Sequence, residues 1–202
     1  MIKEIKPTVF VVDDDTAVRD SLRMLLKSVG LPVEVFESGQ EFLDADRDDR
    51  PGCLVLDIRM PGMSGLELQV KLNERHSILP IIFITGHGDV PMAVEAMQAG
   101  AVDFIQKPFR DQDLLDRINQ ALDKDAGSRR MLAERNMIRK RLESLTPRER
   151  EVLDLVVAGK ANKVIAGDLN LSQRTVEIHR ARVMEKMEAH SLAHLVRMVL
   201  EV

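Results

Sequence analysis

Asp13, Asp14 and Asp15 follow one apolar run of the chain, and Asp57 ends another. Thr85 closes a third, and Lys107 stands before Pro108 at the close of a fourth. If these ends meet, several carboxylates, a hydroxyl and an amine share one crevice. Carboxylates so placed repel. A like-charged pair at about 4 Å costs about 4 kcal/mol at an effective dielectric of about 20. The lysine offsets one charge, and a hard divalent cation suits the rest. Magnesium takes one or two carboxylates, keeps several waters and leaves positions for phosphate oxygens. A cation and a lysine neutralise equatorial oxygens, a hydroxyl holds one, and a carboxylate attacks in line: these are the parts of phosphoryl transfer. On this reading Asp57 is there to be phosphorylated. Singly, each residue has a plainer role: Asp15 as a helix N-terminal residue, Thr85 as a strand-end threonine, Lys107 as a surface lysine.

The elements that would bring these ends together are legible. Strand-like runs at 8–12, 32–36, 53–57, 80–86 and 101–108 alternate with helical patterns at 16–29, 38–45, 64–74, 89–100 and 110–124. The runs are almost continuously apolar, as strands covered on both faces must be. Right-handed crossovers then give an α/β fold, a five-stranded doubly wound parallel sheet. Such sheets build their sites beyond the carboxyl ends of the strands, which is where the acids, Thr85 and Lys107 fall.

Composition narrows the class. The 202 residues suffice for two small domains, and 31% of them are charged. No apolar run approaches the roughly 20 residues of a membrane span. The start, "MIKEIKPTVFVV", lacks the pattern of a signal peptide. One cysteine excludes an internal disulfide framework, and Cys53 reads as a small core residue. These features point to the cytoplasm. Charge is uneven: residues 1–125 hold 14 basic against 23 acidic groups, 126–143 hold 6 against 2, and 144–202 hold 9 against 8. The sign change predicts two domains with different partners, one at 1–124 and a second at 144–202. Residues 125–143 read as an Arg-rich linker, partly helical.

Beyond the linker the pattern is purely helical. "TPRE" at 146–149 is a capping box, with Pro147 at the first helical position. Asn162 can cap a second helix, Ser172 caps a third over 173–187, and Ser191 caps a fourth. At about 100° per residue, Val176, Val183 and Met187 share the core side of the third helix. Arg174, Ile178, Ala181 and Glu185 lie opposite, flanked by Glu177 and Arg182, while Arg180 falls near the core. In a major groove, Ile178 would meet a thymine methyl and an arginine would reach guanine or phosphate. On spacing alone the same face fits a protein partner equally well.

The segments "VVDDD", "LVLDIRMPGMSG", "FITGHGDV" and "DFIQKPF" resemble, in residue type and spacing, the four signature segments of two-component receiver domains. The likeness spans residues 7–124, and "ITGHGDVPMAVEAMQAGAVDFIQKPF" is especially similar to the FixJ branch. The resemblance implies a flavodoxin-like receiver fold and a sensor histidine kinase as the phosphoryl donor to Asp57. It implies Mg2+ (or Mn2+) held by Asp14 and Asp57 directly, by the backbone carbonyl of Arg59, and by Asp13 through water. Thr85 would bond the phosphoryl oxygen and Lys107 pair with it. Phe104 would occupy the aromatic switch position. The face around helix 89–99, strand 101–106 and helix 110–124 would then change shape and form a homodimer; Val90, Met92, Val94 and Met97 lie on helix 89–99, and some of them must serve the core.

"LTPREREVLDLVVAGKANKVIAGDLNLSQRTVEIHRARVMEKM" resembles the LuxR-type helix-turn-helix of the NarL/FixJ class over residues 144–199. This implies an all-α four-helix domain that reads promoter DNA. Helix 173–187 would enter the groove, and Thr175, His179 and Lys163 would lie near phosphates. The fourth helix would help dimerise. RNA polymerase is the expected further partner, and no membrane is expected. Two other classes fit parts of the pattern: an aspartyl-nucleophile phosphohydrolase, for which the sequence offers no cap, and a receiver-controlled protein-binding module.

Overall fold

The structure is a computed structural model that describes residues 6–45, 50–86 and 90–202. The chain divides into two compact units, Met1–Arg129 and Arg130–Val202.

The first unit alternates strand and helix: β1 (Thr8–Val12), α1 (Thr16–Ser28), β2 (Val33–Phe36), α2 (Gly39–Ala45), β3 (Gly52–Asp57), α3 (Gly65–Glu74), β4 (Ile81–Thr85), α4 (Val90–Gln98), β5 (Asp103–Gln106) and the start of α5 (Asp111–Glu143). The strands are parallel in the order β2-β1-β3-β4-β5. The expected five-stranded parallel sheet is therefore present. The inner strands β1, β3 and β4 are mostly apolar because alternate residues serve opposite covered faces, whereas the edge strands β2 and β5 carry Glu34, Asp103 and Gln106. Phe10, Leu54, Leu56 and Phe83 pack with Phe42 of α2, Leu68 of α3 and Ala96 of α4. Val9, Val11, Val55, Ile82 and Ile84 pack with Leu22 and Leu26 of α1 and with Leu114 and Ile118 of α5. Cys53 lies in that second layer with no exposure, and burial pushes its thiol up to about 12.

Local chemistry sets the element ends. Ser64 caps α3 in a capping box with Glu67. Gly30 follows α1 at φ 78°, a conformation that a side chain would strain. The fifth strand is shorter than its apolar run, beginning at Asp103 rather than Ala101. Asp89, the expected first residue of the fourth helix, lies outside the described residues; the helix is described from Val90.

The larger difference is in α5. The sequence pattern ends a helix near Lys124, yet the helix continues to Glu143, so 125–143 is helical throughout. The segment is rich in Arg, Leu, Ala and Met, good helix formers that outweigh the cost of about 1 kcal/mol for Gly127. Asp125 and Arg129 pair across one turn at 2.8 Å. Asp125 is also buried, accepting from the Gly52 N–H at 2.9 Å.

The second unit packs α6 (Pro147–Val157), α7 (Asn162–Asp168), α8 (Gln173–Lys186) and α9 (Leu192–Leu200) around Val152, Leu153, Ile165, Val176, Val183 and Leu195, with Ile138 of α5 in the same core. Thr146 and Glu149 form the expected capping box, and Ser172 and Ser191 cap their helices. Asn162 does not cap α7. Ala161 holds that position without a side-chain bond, and Asn162 Oδ1 instead accepts from Arg180 of α8.

Candidate functional site

The strand order places the ends of β1, β3, β4 and β5 side by side, and the acids converge there. Lys107 Nζ donates to Asp13 Oδ2 at 2.8 Å and to Asp57 Oδ1 at 3.0 Å. Asp13 and Asp57 are almost fully buried, at 1% and 7% exposure. The backbone N–H of Arg59 donates to Asp57 Oδ2 at 2.8 Å, and that of Asp15 to Asp13 Oδ1 at 2.9 Å. Lys107 is oriented through its own backbone, whose N–H donates to the Thr85 carbonyl at 2.7 Å; the Lys107–Pro108 peptide is cis. Gly65 permits the tight return of the chain behind Asp57. A Cβ there would stand 2.3 Å from the Asp57 carbonyl oxygen.

Burial pushes the Asp57 carboxyl above its ordinary value, and the Asp13 charge adds to this. Lys107 and the Arg59 N–H oppose the rise without cancelling it. Burial alone would lower the Lys107 amine, but the hydrogen bonds and charges of Asp13 and Asp57 leave it raised. The pocket thus holds an excess of acid against one amine, and it favours an added cation. The donors are all hard oxygens, as magnesium requires. Among the described residues no group of three acidic, histidine or cysteine side chains is placed to hold a metal ion. Asp14 is exposed beside Asp13, and Arg59 lies exposed after β3. Thr85 is buried at 3%. Phe104 is half-buried on the α4 side of the sheet, in the same cluster as Met92. Val94 and Met97 are exposed on α4.

On α8 a shallow depression is lined by Gln173, Arg174, Glu177, Ile178 and Ala181, bringing four of the sequence-expected contact residues together. Ile178 is 46% exposed. Arg182 is exposed outside this depression, and Lys163 is exposed on α7. Thr175 is partly withdrawn, its hydroxyl 2.7 Å from Ser172 Oγ at the helix start. His179 is half-buried, and its Nδ1 has no partner among the described residues. Arg180, read from the wheel as facing the core, lines a small internal space with Val152, Val183 and Leu195. The outer face of α9 is apolar, with Leu192 46% and Leu200 75% exposed.

The profile described as "Response regulator receiver domain" matches residues 9–119, and "Bacterial regulatory proteins, luxR family" matches residues 143–199. The chain belongs to the response regulators. It is 52% identical to the transcriptional regulatory protein FixJ of Rhizobium meliloti over 193 residues, covering 96% of this chain and 95% of that protein. Nodulation protein W of Bradyrhizobium diazoefficiens is 49% identical, with coverage of 96% and 85%. The solved structure of the response regulator StyR superposes with a TM-score of 0.88 at 49% identity, covering 98% of this chain and all of that one. Full-length FixJ from B. japonicum gives 0.60 at 46% identity, with 97% of both chains covered. The protein is a response regulator that controls transcription.

Two residues of this response regulator escaped the sequence reading. Lys186, at the end of α8, donates to buried Glu149 at 2.6 Å and to the Ser144 carbonyl at 3.2 Å. Arg19 of α1 reaches back to the Asp13 carbonyl at 2.6 Å. Both partners are chosen by tertiary packing or by a loop, which no periodicity reports.

Proposed function

We propose that a sensor histidine kinase phosphorylates Asp57 in the presence of Mg2+ or Mn2+, and that the phosphorylated protein dimerises and binds promoter DNA, activating transcription with RNA polymerase. The observation that carries this reading is the Lys107 ammonium bridging the buried carboxylates of Asp13 and Asp57 at the strand ends. A carboxylate oxygen of Asp57 attacks phosphorus, the bond from phosphorus to the donor imidazole breaks, and the imidazole leaves. Asp13, Asp14, Asp57 and the Arg59 carbonyl would hold the cation, which neutralises phosphoryl oxygens when bound. Lys107 turns from bridging two acids to pairing with the new phosphoryl group, and the Thr85 hydroxyl bonds one of its oxygens. The modification replaces the single charge of the carboxylate by a phosphoryl group of about −1.5 to −2 and brings three acceptor oxygens into a buried corner. Thr85 moves inward, and Phe104 swings into the space it leaves. The α4 face then pairs with a second copy.

In the second unit, α8 enters the major groove with Arg174, Glu177, Ile178, Ala181 and Arg182. Thr175, His179 and Lys163 approach phosphates, and α9 adds contact between copies. The domain limits are 1–124 for the receiver, 125–143 for the connector and 144–202 for the DNA-binding part. The protein acts in the cytoplasm and turns over no substrate but its own phosphoryl group; among the described residues no helix is long and apolar enough to cross a membrane. The test is a phosphoryl-donor titration with Mg2+, followed by size-exclusion chromatography. The native protein dimerises and Asp57→Asn stays monomeric. Donor-dependent dimerisation of Asp57→Asn would sink the assignment.

A further inference from the structure

Asp14 is the exposed acid between two tethered neighbours. Its own carboxylate has no hydrogen-bond partner among the described residues, so the backbone on either side sets its direction. That backbone is held from α1. Arg19, half-buried, donates from Nη1 to the Asp13 carbonyl at 2.6 Å and from Nη2 to Thr16 Oγ1 at 2.9 Å. Its backbone N–H donates to the Asp15 carbonyl at 3.0 Å. Asp15 in turn caps α1 by accepting from the Ala17 N–H at 2.8 Å. One guanidinium thus spans from the peptide preceding Asp14 to the first residue of the helix.

We propose that Arg19 is a positioning residue for the divalent cation: it straps the Asp13–Asp14 peptide to α1 and so aims the Asp14 carboxylate. The inference rests on the pocket reading above, in which Asp14 is a ligand. Magnesium and manganese sites demand near-octahedral oxygen placement, so a ligand whose backbone can swing is lost from the shell. Groups that orient ligands rather than touch the metal typically carry 10- to 100-fold in affinity.

The alternative role for Arg19 is its charge alone, and the two roles predict opposite signs. A cation beside a bound dication repels it, so a merely electrostatic Arg19 weakens binding and its removal tightens it. A strap strengthens binding and its removal loosens it. Lysine separates the two further, because it keeps the charge but lacks the fork that reaches two acceptors at once.

The experiment measures Mn2+ binding to the full-length protein by loss of the free-ion electron paramagnetic resonance signal. Arg19→Met and Arg19→Lys are both expected to raise the dissociation constant by roughly 10- to 100-fold. Thr16→Val, which removes the far anchor with little change of shape, is expected to raise it by a smaller factor. Thermal unfolding without cation identifies any variant that fails to fold. If Arg19→Met is one, Arg19→Lys and Thr16→Val carry the decision. Tighter binding in Arg19→Met with no change in Arg19→Lys, or native affinity in all folded variants, overturns the proposal. Asp14→Asn is the separate control. If it binds Mn2+ like the native protein, or if the native protein binds none, the pocket reading itself falls and takes this inference with it.

Discussion

Asp57 carries a cost in the resting protein. Its carboxyl is raised by burial and by the Asp13 charge. A group with a raised folded pKa contributes stability below its unfolded pKa and loses it as pH rises through the folded value. At neutral pH without cation the charged form is therefore a burden on the fold. Asp57→Asn is expected to raise the cation-free melting temperature at pH 7, and the gap should shrink as pH falls and native Asp57 protonates; circular dichroism melts at pH 7 and at successively lower pH check this. Glu149 runs the other way. The Lys186 ammonium and the Thr146 N–H hold its carboxyl down to about 2. Its stabilising contribution is present above the ordinary value of 4.5 and is lost as pH falls toward about 2. Lys186→Met leaves a buried acceptor poorly satisfied and should cost about 1–3 kcal/mol in urea unfolding of the helical unit. The capping-box half of this cluster was legible in "TPRE", since it is local. The Lys186 half was not, because residues 37 apart in sequence meet only once α6 and α8 pack.

Elements were readable where a local rule fixes them. The five strands followed from apolar runs to within a few residues, and Thr146, Ser172 and Ser191 marked helix starts by the oxygen each offers an N–H. Reading failed where tertiary contacts overrode the local signal. The α5 helix passes Gly127 because Asp125 is buried against Gly52 and because Ile138 packs with the helical unit. Asn162 loses its capping role because Arg180 claims its side-chain oxygen. Gly65 lies between these cases: the motif displays it, but only the fold shows that its missing Cβ makes room for the Asp57 carbonyl. Gly65→Ala forces β3 and α3 apart just behind Asp57. Overpacking of this kind costs about 1–3 kcal/mol. The expected outcome is a lower melting temperature together with slower phosphorylation from a small-molecule donor. A variant that is destabilised yet phosphorylated at the native rate would show that the displacement does not reach the carboxylate.

At the scale of the whole molecule, the acid pocket and the basic groups of α8 belong to different units of one chain. Residues 144–202 hold 9 basic against 8 acidic groups, so one copy offers little net charge to DNA. On the proposed reading, affinity comes from contacts by Arg174, Arg182 and Lys163 and from joining two copies. Doubling the copies doubles the phosphates neutralised, and the logarithm of affinity falls with the logarithm of salt at about −0.9 per neutralised phosphate. Full-length protein treated with phosphoryl donor and Mg2+ should therefore show about twice the salt slope of untreated protein on the same promoter fragment. Lys163→Ala should reduce the slope by about 1 per copy, uniformly across sequences, whereas Ile178→Ala should change sequence preference and leave the slope intact. A donor that strengthens binding at constant slope would mean that phosphorylation releases a site already complete in one copy. Dimerisation would then not be what carries the signal to DNA.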